Sequence, residues 1–172
     1  MNDGRSVNVS AELRPSFGGL GAGSLLEIDA WIHSEIKAIS PLVERLMRLI
    51  EGSHCITGDE PAVELALREA LNNAVVHGNQ LDAHKLVHVR CRCKAGIGIS
   101  LTVSDQGQGF DPRTASDSVT VENLEADHGR GVHLMKVAMD EVSFEQRGTK
   151  VHMCKRAARN PRADVRSDSR GL

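Results

Sequence analysis

The chain has 172 residues, a formal net charge of −2 at pH 7, one Trp, three Phe and no Tyr. That length suits one domain with a proper core and leaves no room for two large ones. The scarcity of aromatics argues against stacking platforms for single-stranded nucleic acid, and the near-neutral charge removes the electrostatic reason to expect DNA or RNA as a partner. No apolar run reaches membrane-spanning length, and no basic segment followed by a hydrophobic one opens the chain, so the sequence reads as cytoplasmic, with no membrane partner.

Residues 1–23 are rich in Gly and Ser without a period and read as a flexible leader. Leu26, Ile28 and Ala30 alternate within Ser24–Trp31, which predicts a first strand. An amphipathic helix is expected from Pro41 to about Gly52, with Leu42, Val43, Leu46, Leu49 and Ile50 on one stripe. The next helix is the clearest. Asp59 stands at the N-cap position, Pro61 in the first turn, Val63, Leu67, Ala70, Leu71 and Ala74 on one side, and Gly78 at the end. Two alternating strands follow. Leu86–Cys93 sets Val87, Val89, Cys91 and Cys93 inward, and Ile97–Val103 sets Ile97, Ile99, Leu101 and Val103 inward, with a hairpin turn around Lys94-Ala95-Gly96.

Gln106–His128 is long, rich in Gly, Asp, Ser and Thr, and reads as a functional lid. A helix over Arg130–Met139 and two strands, Glu141–Gln146 and Lys150–Lys155, turning at Arg147-Gly148, complete the pattern. Mixed-sign charge from Arg156 onward predicts a disordered tail over 156–172. The domain is thus 24–155. Its class is α/β in the α+β sense: a two-layer sandwich whose mixed, mostly antiparallel sheet carries helices on one face.

The four cysteines suggest no metal. Cys91 and Cys93 share a strand face as small buried hydrophobes, Cys55 and Cys154 stand alone, and a zinc site wants a second closely spaced pair. Disulfides are not expected in a cytosolic chain. His54, His84, His88, His133 and His152 are scattered without ligand spacing.

Three segments carry chemistry. In Glu69-Ala-Leu-Asn-Asn-Ala-Val-Val-His-Gly78, Glu69 and Asn73 lie four residues apart on one helix face. Asn73 offers a side-chain oxygen to Mg²⁺, a hard cation that shares oxygen ligands with substrate phosphates. Asn72 lies about 100° round the helix, so the Glu-x-x-x-Asn spacing selects Asn73. Glu69 suits a general base that orients a hydroxyl and accepts its proton; the plainer alternative is a helical Glu paired with Arg68 or a lysine. In Asp105-Gln-Gly-Gln-Gly109, Asp105 ends a strand, where its carboxylate can accept from the exocyclic amine of adenine and oppose the carbonyl of guanine. Gly107 and Gly109 let backbone approach base and sugar, although the same letters also make an ordinary turn. In Gly129-Arg-Gly-Val-His133, Gly129 and Gly131 open a helix whose N–H groups and dipole suit a triphosphate.

In this order and context, joined by Arg147-Gly-Thr-Lys-Val151, these segments resemble the N box, the two glycine boxes and the last strand pair of a GHKL-type ATPase domain with the Bergerat ATP-binding fold. Within that superfamily, Ser24–Lys155 is most similar to the bacterial anti-sigma-factor serine/threonine kinases. The resemblance implies ATP and Mg²⁺ as cofactors, Glu69 as catalytic base, and Asn73 as the magnesium ligand. It implies nucleotide contacts from Asn73, His77, Asp105, Gly107, Gly109, Gly129, Arg130, Gly131 and Thr149. Its expected partners are a sigma factor or equivalent target and an anti-sigma-factor antagonist phosphorylated on serine, with the chain itself a homodimer. One departure stands out. Relatives often carry a basic residue just ahead of the second glycine box, whereas this chain has Asp127 and His128, leaving Arg130 or a protonated His128 to substitute. The alternative is a non-catalytic ATP-binding module that sequesters a protein partner. A sensor histidine kinase needs an upstream dimerisation helix pair, and gyrase-like or chaperone-like relatives need a coupling domain; neither is expected here.

Overall fold

A computed structural model describes residues 14–18, 25–109 and 127–158. The expected lid therefore has residues 110–126 outside the described part, as do most of the leader and the tail beyond 158.

Period-two alternation builds the sheet. In β2 (Leu25–His33), Leu26, Ile28, Ala30 and Ile32 are buried while the residues between them are not. The same holds for Val87, Val89, Cys91 and Cys93 of β3 (Leu86–Lys94), for Ile99, Leu101 and Val103 of β4 (Gly98–Ser104), and for Val151 and Met153 of β6 (Lys150–Arg156). With β1 (Arg14–Gly18) and β5 (Glu141–Glu145) they form one six-stranded sheet in the order β1-β2-β3-β4-β6-β5. Every pairing among the described residues is antiparallel, in line with the mostly antiparallel sheet expected from sequence. One row of partners, Ile28, Cys91, Leu101 and Met153, crosses four strands on the inner face, each fully buried. The outer face is polar. Arg92 pairs with Glu27 at 2.7 Å and Arg90 with Asp29 at 3.0 Å, while His88 bonds Asp29 at 2.9 Å and stacks on Trp31.

The helices cover the inner face. In α1 (Ile36–Ser53), Ala38, Ile39, Leu42, Val43, Leu46, Met47 and Ile50 form the buried stripe. The helix begins ahead of Pro41 because Ala38 and Ile39 extend that stripe one turn backwards. Pro41 itself is exposed, on the side where a missing N–H and a slight bend are tolerated. α2 (Glu60–Asn72) buries Val63, Ala66, Leu67, Ala70 and Leu71, and α3 (Asp127–Ala138) packs against it. Asp59 holds the N-cap position of α2 without a side-chain cap. Its carboxylate stands 3.7 Å from Lys155 Nζ, which also lies 3.5 Å from Asp140 and donates to Ala138 O at 3.1 Å. Lys155 thus ties the start of α2 to the end of α3.

Three further sequence expectations need correction. Arg14–Gly18, placed in the leader, pairs with β2; Pro15 is tolerated there because β1 is an edge strand. Ile97, expected inward, is 61% exposed, because its N–H closes the β3–β4 turn onto Lys94 O at 3.0 Å and alternation starts only after it. Cys55 and Cys93, expected as free thiols, form a disulfide with Cα atoms 5.7 Å apart, joining the α1–α2 connection to the end of β3. Cys91 remains a free thiol, pushed up to about 12 by burial. Among the described residues no helix is long and apolar enough to cross a membrane, and no group of three metal-ligating side chains gathers.

The disulfide spans 38 residues, so the loop-closure model assigns it about 4 kcal/mol of stability through the unfolded chain. Cys55→Ser should lose most of that in denaturant titration under oxidising conditions. The gap to the wild type should nearly vanish in excess reductant; a gap that persists unchanged there would rule out the cross-link as its source.

Candidate functional site

The site begins where α2 changes pitch. After Asn72 the helix widens into a π-helical turn, Asn73–Gly78, and Asn79 N–H donates to Ala74 O at 2.8 Å, five residues back. Such turns recur at functional positions because they re-aim side chains at a helix end. Asn72 is exposed, whereas Glu69 and Asn73 are half-buried and face α3. Opposite them lies Gly131. A β-carbon built there would stand 3.0 Å from Glu69 Oε2, 3.2 Å from Asn73 Oδ1 and 3.4 Å from Asn73 Nδ2, so a larger residue would press the ends of both side chains aside by a few tenths of an ångström.

α3 starts at Asp127 rather than at Arg130. Gly129 therefore falls in the first turn, where N–H groups have no intrahelical acceptor, and exposed Arg130 follows it. Gly131 is one residue beyond that set. It also comes close to Glu69 and Asn73.

A second cluster forms at the end of β4. Asp105 is half-buried, and its N–H donates to Thr149 O at 2.9 Å. Its Oδ1 accepts the Gly107 N–H at 2.8 Å. Burial pushes the carboxyl above its usual range, while the Gly107 N–H and the charge of Lys85 pull the other way. Against that carboxyl rests the bare Cα of Gly78, where any Cβ would overlap the Asp105 carboxylate. A Cβ on Gly107 would in turn overlap the Gly78 carbonyl. Gly109, at φ +78°, has its Cα against the Arg147 carbonyl, and a Cβ there would come within 3.1 Å of Thr149 Cγ2. Thr149 Oγ1 donates to Gln146 O at 2.9 Å, anchoring the left-handed turn Gln146–Gly148 between β5 and β6.

The structure therefore gathers Glu69, Asn73 and Gly131 in one group and Asp105, Gly107, Gly109 and Thr149 in another. The turn Asn73–Gly78, which contains half-buried His77, links them. Asp127, His128 and Gly129 form the first turn of α3. Two contributors escape a reading of the motifs. Gly78 reads as a helix stop, yet it is the surface on which Asp105 lies. Asn79 is fully buried, with Oδ1 accepting from Gln106 N–H at 2.8 Å and Nδ2 donating to Leu86 O at 3.1 Å. The one signal for Asn79 is a polar residue directly after His77-Gly78, a pattern shared by countless exposed turns.

A half-buried carboxylate at a strand end, a glycine-lined approach and a helix start facing paired Glu and Asn side chains define a nucleotide-binding α+β domain. Residues 32–155 match the family model of the histidine kinase-like ATPase domain, and the chain belongs to that family. It is thus an ATP-binding domain of the GHKL type, a class whose general chemistry is kinase-like and ATP-dependent. No curated protein matches the chain.

The Asp105 shift has a sign that can be measured. Its folded carboxyl holds a proton to higher pH than the unfolded value of 3.8, so the folded state binds more protons in that window. Stability from this group is present below 3.8 and is lost as pH rises through the raised value. Denaturant titrations between pH 3.5 and 7 should show Asp105→Asn without this downward component, visible as wild type minus variant; equal slopes would contradict the shift.

Proposed function

We propose that this chain is an ATP- and Mg²⁺-dependent protein serine/threonine kinase that acts as an anti-sigma regulatory factor in a partner-switching circuit. The observation that supports it most is the meeting of Glu69 and Asn73 with Gly131 at the start of α3. Two oxygen-bearing side chains one helical turn apart then approach α3 just past its first turn, where a polyphosphate would find free N–H groups. The donor set fits a hard cation, and the missing Cβ of Gly131 leaves it space. Asn73 would hold Mg²⁺, with phosphate oxygens and water completing its shell; the ion supplies charge neutralisation on the triphosphate.

In this reading Glu69 orients the serine hydroxyl of the antagonist and accepts its proton as the phosphoryl group transfers. The Gly129 N–H, with its neighbours in the first turn of α3, and Arg130 receive the phosphates. Asp105 accepts the adenine amine with Oδ2, since Oδ1 is engaged by Gly107. Gly107, Gly109 and Thr149 line the base and sugar, and His77, from the π-helical turn, joins the nucleotide contacts by resemblance. Guanine would set its carbonyl against the same carboxylate, an unpaired buried acceptor costing about 1–3 kcal/mol. Phosphorylation adds roughly two negative charges to the antagonist, enough to break an interface by repulsion and desolvation. A sigma factor or equivalent target, a homodimeric state and a cytoplasmic setting complete the reading by resemblance.

A second reading is a non-catalytic module that binds ATP and sequesters a partner. Asp127 favours it, being an acidic residue in the first turn of α3, where a terminal phosphate would gain from a base. Incubation with γ-labelled ATP and a cognate antagonist separates the two. The kinase reading expects label on serine, reduced roughly 10²–10⁴-fold in Glu69→Ala with ATP binding retained. Bound ATP with no transfer to the antagonist would leave the module.

A further inference from the structure

Asp105 can discriminate a purine only if its free oxygen points one way, and nothing in a strand end enforces that. Its own N–H is secured to Thr149 O at 2.9 Å, which steadies the residue from the β4 side. On the other side the next peptide has to be held as well. That peptide's N–H, from Gln106, ends on Asn79 Oδ1 at 2.8 Å.

Asn79 is 0% exposed, and both ends of its carboxamide are used. Nδ2 donates to Leu86 O at 3.1 Å, and the circuit closes when Leu86 N–H donates to Gln106 Oε1 at 2.7 Å. Three residues, from the end of the π-helical turn, the start of β3 and the adenine-side loop, thus form one hydrogen-bonded ring. The Asn79 backbone N–H is tied to Ala74 O at 2.8 Å, so the ring is anchored to the same turn that carries Asn73. Immediately before it, Gly78 meets the Asp105 carboxylate with no Cβ between them.

We propose that Asn79 is a positioning residue for nucleotide choice: by clamping the Asp105–Gln106 peptide through this ring, it aims Asp105 Oδ2 at the purine and sets the preference for adenine over guanine. It touches no nucleotide itself. A buried carboxamide is needed because only an acceptor and a donor on one planar group satisfy Gln106 N–H and Leu86 O together. Without them the Gln106 N–H loses its acceptor and the peptide is free to rotate. The carboxylate then follows, because Gly107, which grips Oδ1, moves with that loop. The phosphate side should be untouched, since Glu69 and Asn73 stand ten and six residues before Asn79 and Gly131 belongs to α3.

The inference rests on Asp105 reading the base, and its test separates the two ideas. Equilibrium binding of ATP, GTP and inorganic tripolyphosphate to the full chain is compared for wild type, Asn79→Ala and Gln106→Ala. Expected is a wild type that prefers ATP, an Asn79→Ala protein whose ATP:GTP preference falls at least tenfold, and tripolyphosphate affinity within twofold throughout. Gln106→Ala, a change at an exposed side chain that removes only the Leu86 link, should lower the preference by a smaller factor with an unaltered thermal midpoint. It carries the test alone, by the same preference readout, if Asn79→Ala does not fold. A wild type that prefers ATP together with variants that keep the full preference overturns the role of Asn79 and leaves Asp105 standing. A wild type indifferent to the purine sinks the Asp105 reading, and this inference with it.

Discussion

Two segments of this chain meet through glycines that carry no β-carbon, and the candidate site depends on that contact. The Cα of Gly78, closing the helix that carries Glu69 and Asn73, lies directly on the carboxylate of Asp105, and Gly107 lies on the Gly78 carbonyl. Contacts this close, one to a carboxylate and one to a backbone carbonyl, leave little freedom to slide. A helix end and a strand end are thereby locked in register, and groups far apart along the chain open onto one region. The π-helical turn contributes the rest, since its wider pitch carries the chain from Asn73 to the buried Asn79 at the base of that contact.

The scaffold holds these ends still by ordinary means. A fully buried row of Ile28, Cys91, Leu101 and Met153 runs across the central strands, and the helices close over it. Lys155, from the last strand, reaches the start of α2 and the end of α3, the two helices whose other ends face each other across Gly131. The Cys55–Cys93 bond sits just ahead of α2, so the loop feeding the helix is pinned to the sheet. Rigid ends and a glycine contact between them are what a site requiring a fixed carboxylate needs.

Much of this was legible because it is periodic. Alternation marked β2, β3, β4 and β6, and the helical repeat placed Glu69 and Asn73 on one face while turning Asn72 away. The failures share a cause: each depends on what lies opposite in space. Ile97 follows the alternating pattern by letter but belongs to a turn. Pro41 looks like a helix start because its local preference is strong, yet burial of Ala38 and Ile39 carries the helix past it. Arg14–Gly18 has no period of its own and becomes a strand because β2 offers it an edge. At the site, the close approach of Gly131 to Glu69 and Asn73 has no local signal, and Asn79 differs in no local respect from an exposed turn residue.

The two rims of the sheet carry a consequence for how molecules of this protein can meet. Pro15 on β1 lacks one donor that an incoming strand would require. At the opposite rim, five-residue β5 exposes Glu141, Ser143 and Glu145. Short, acidic or donor-poor margins make poor templates for strand addition, so ribbon-like stacking of copies end to end is discouraged.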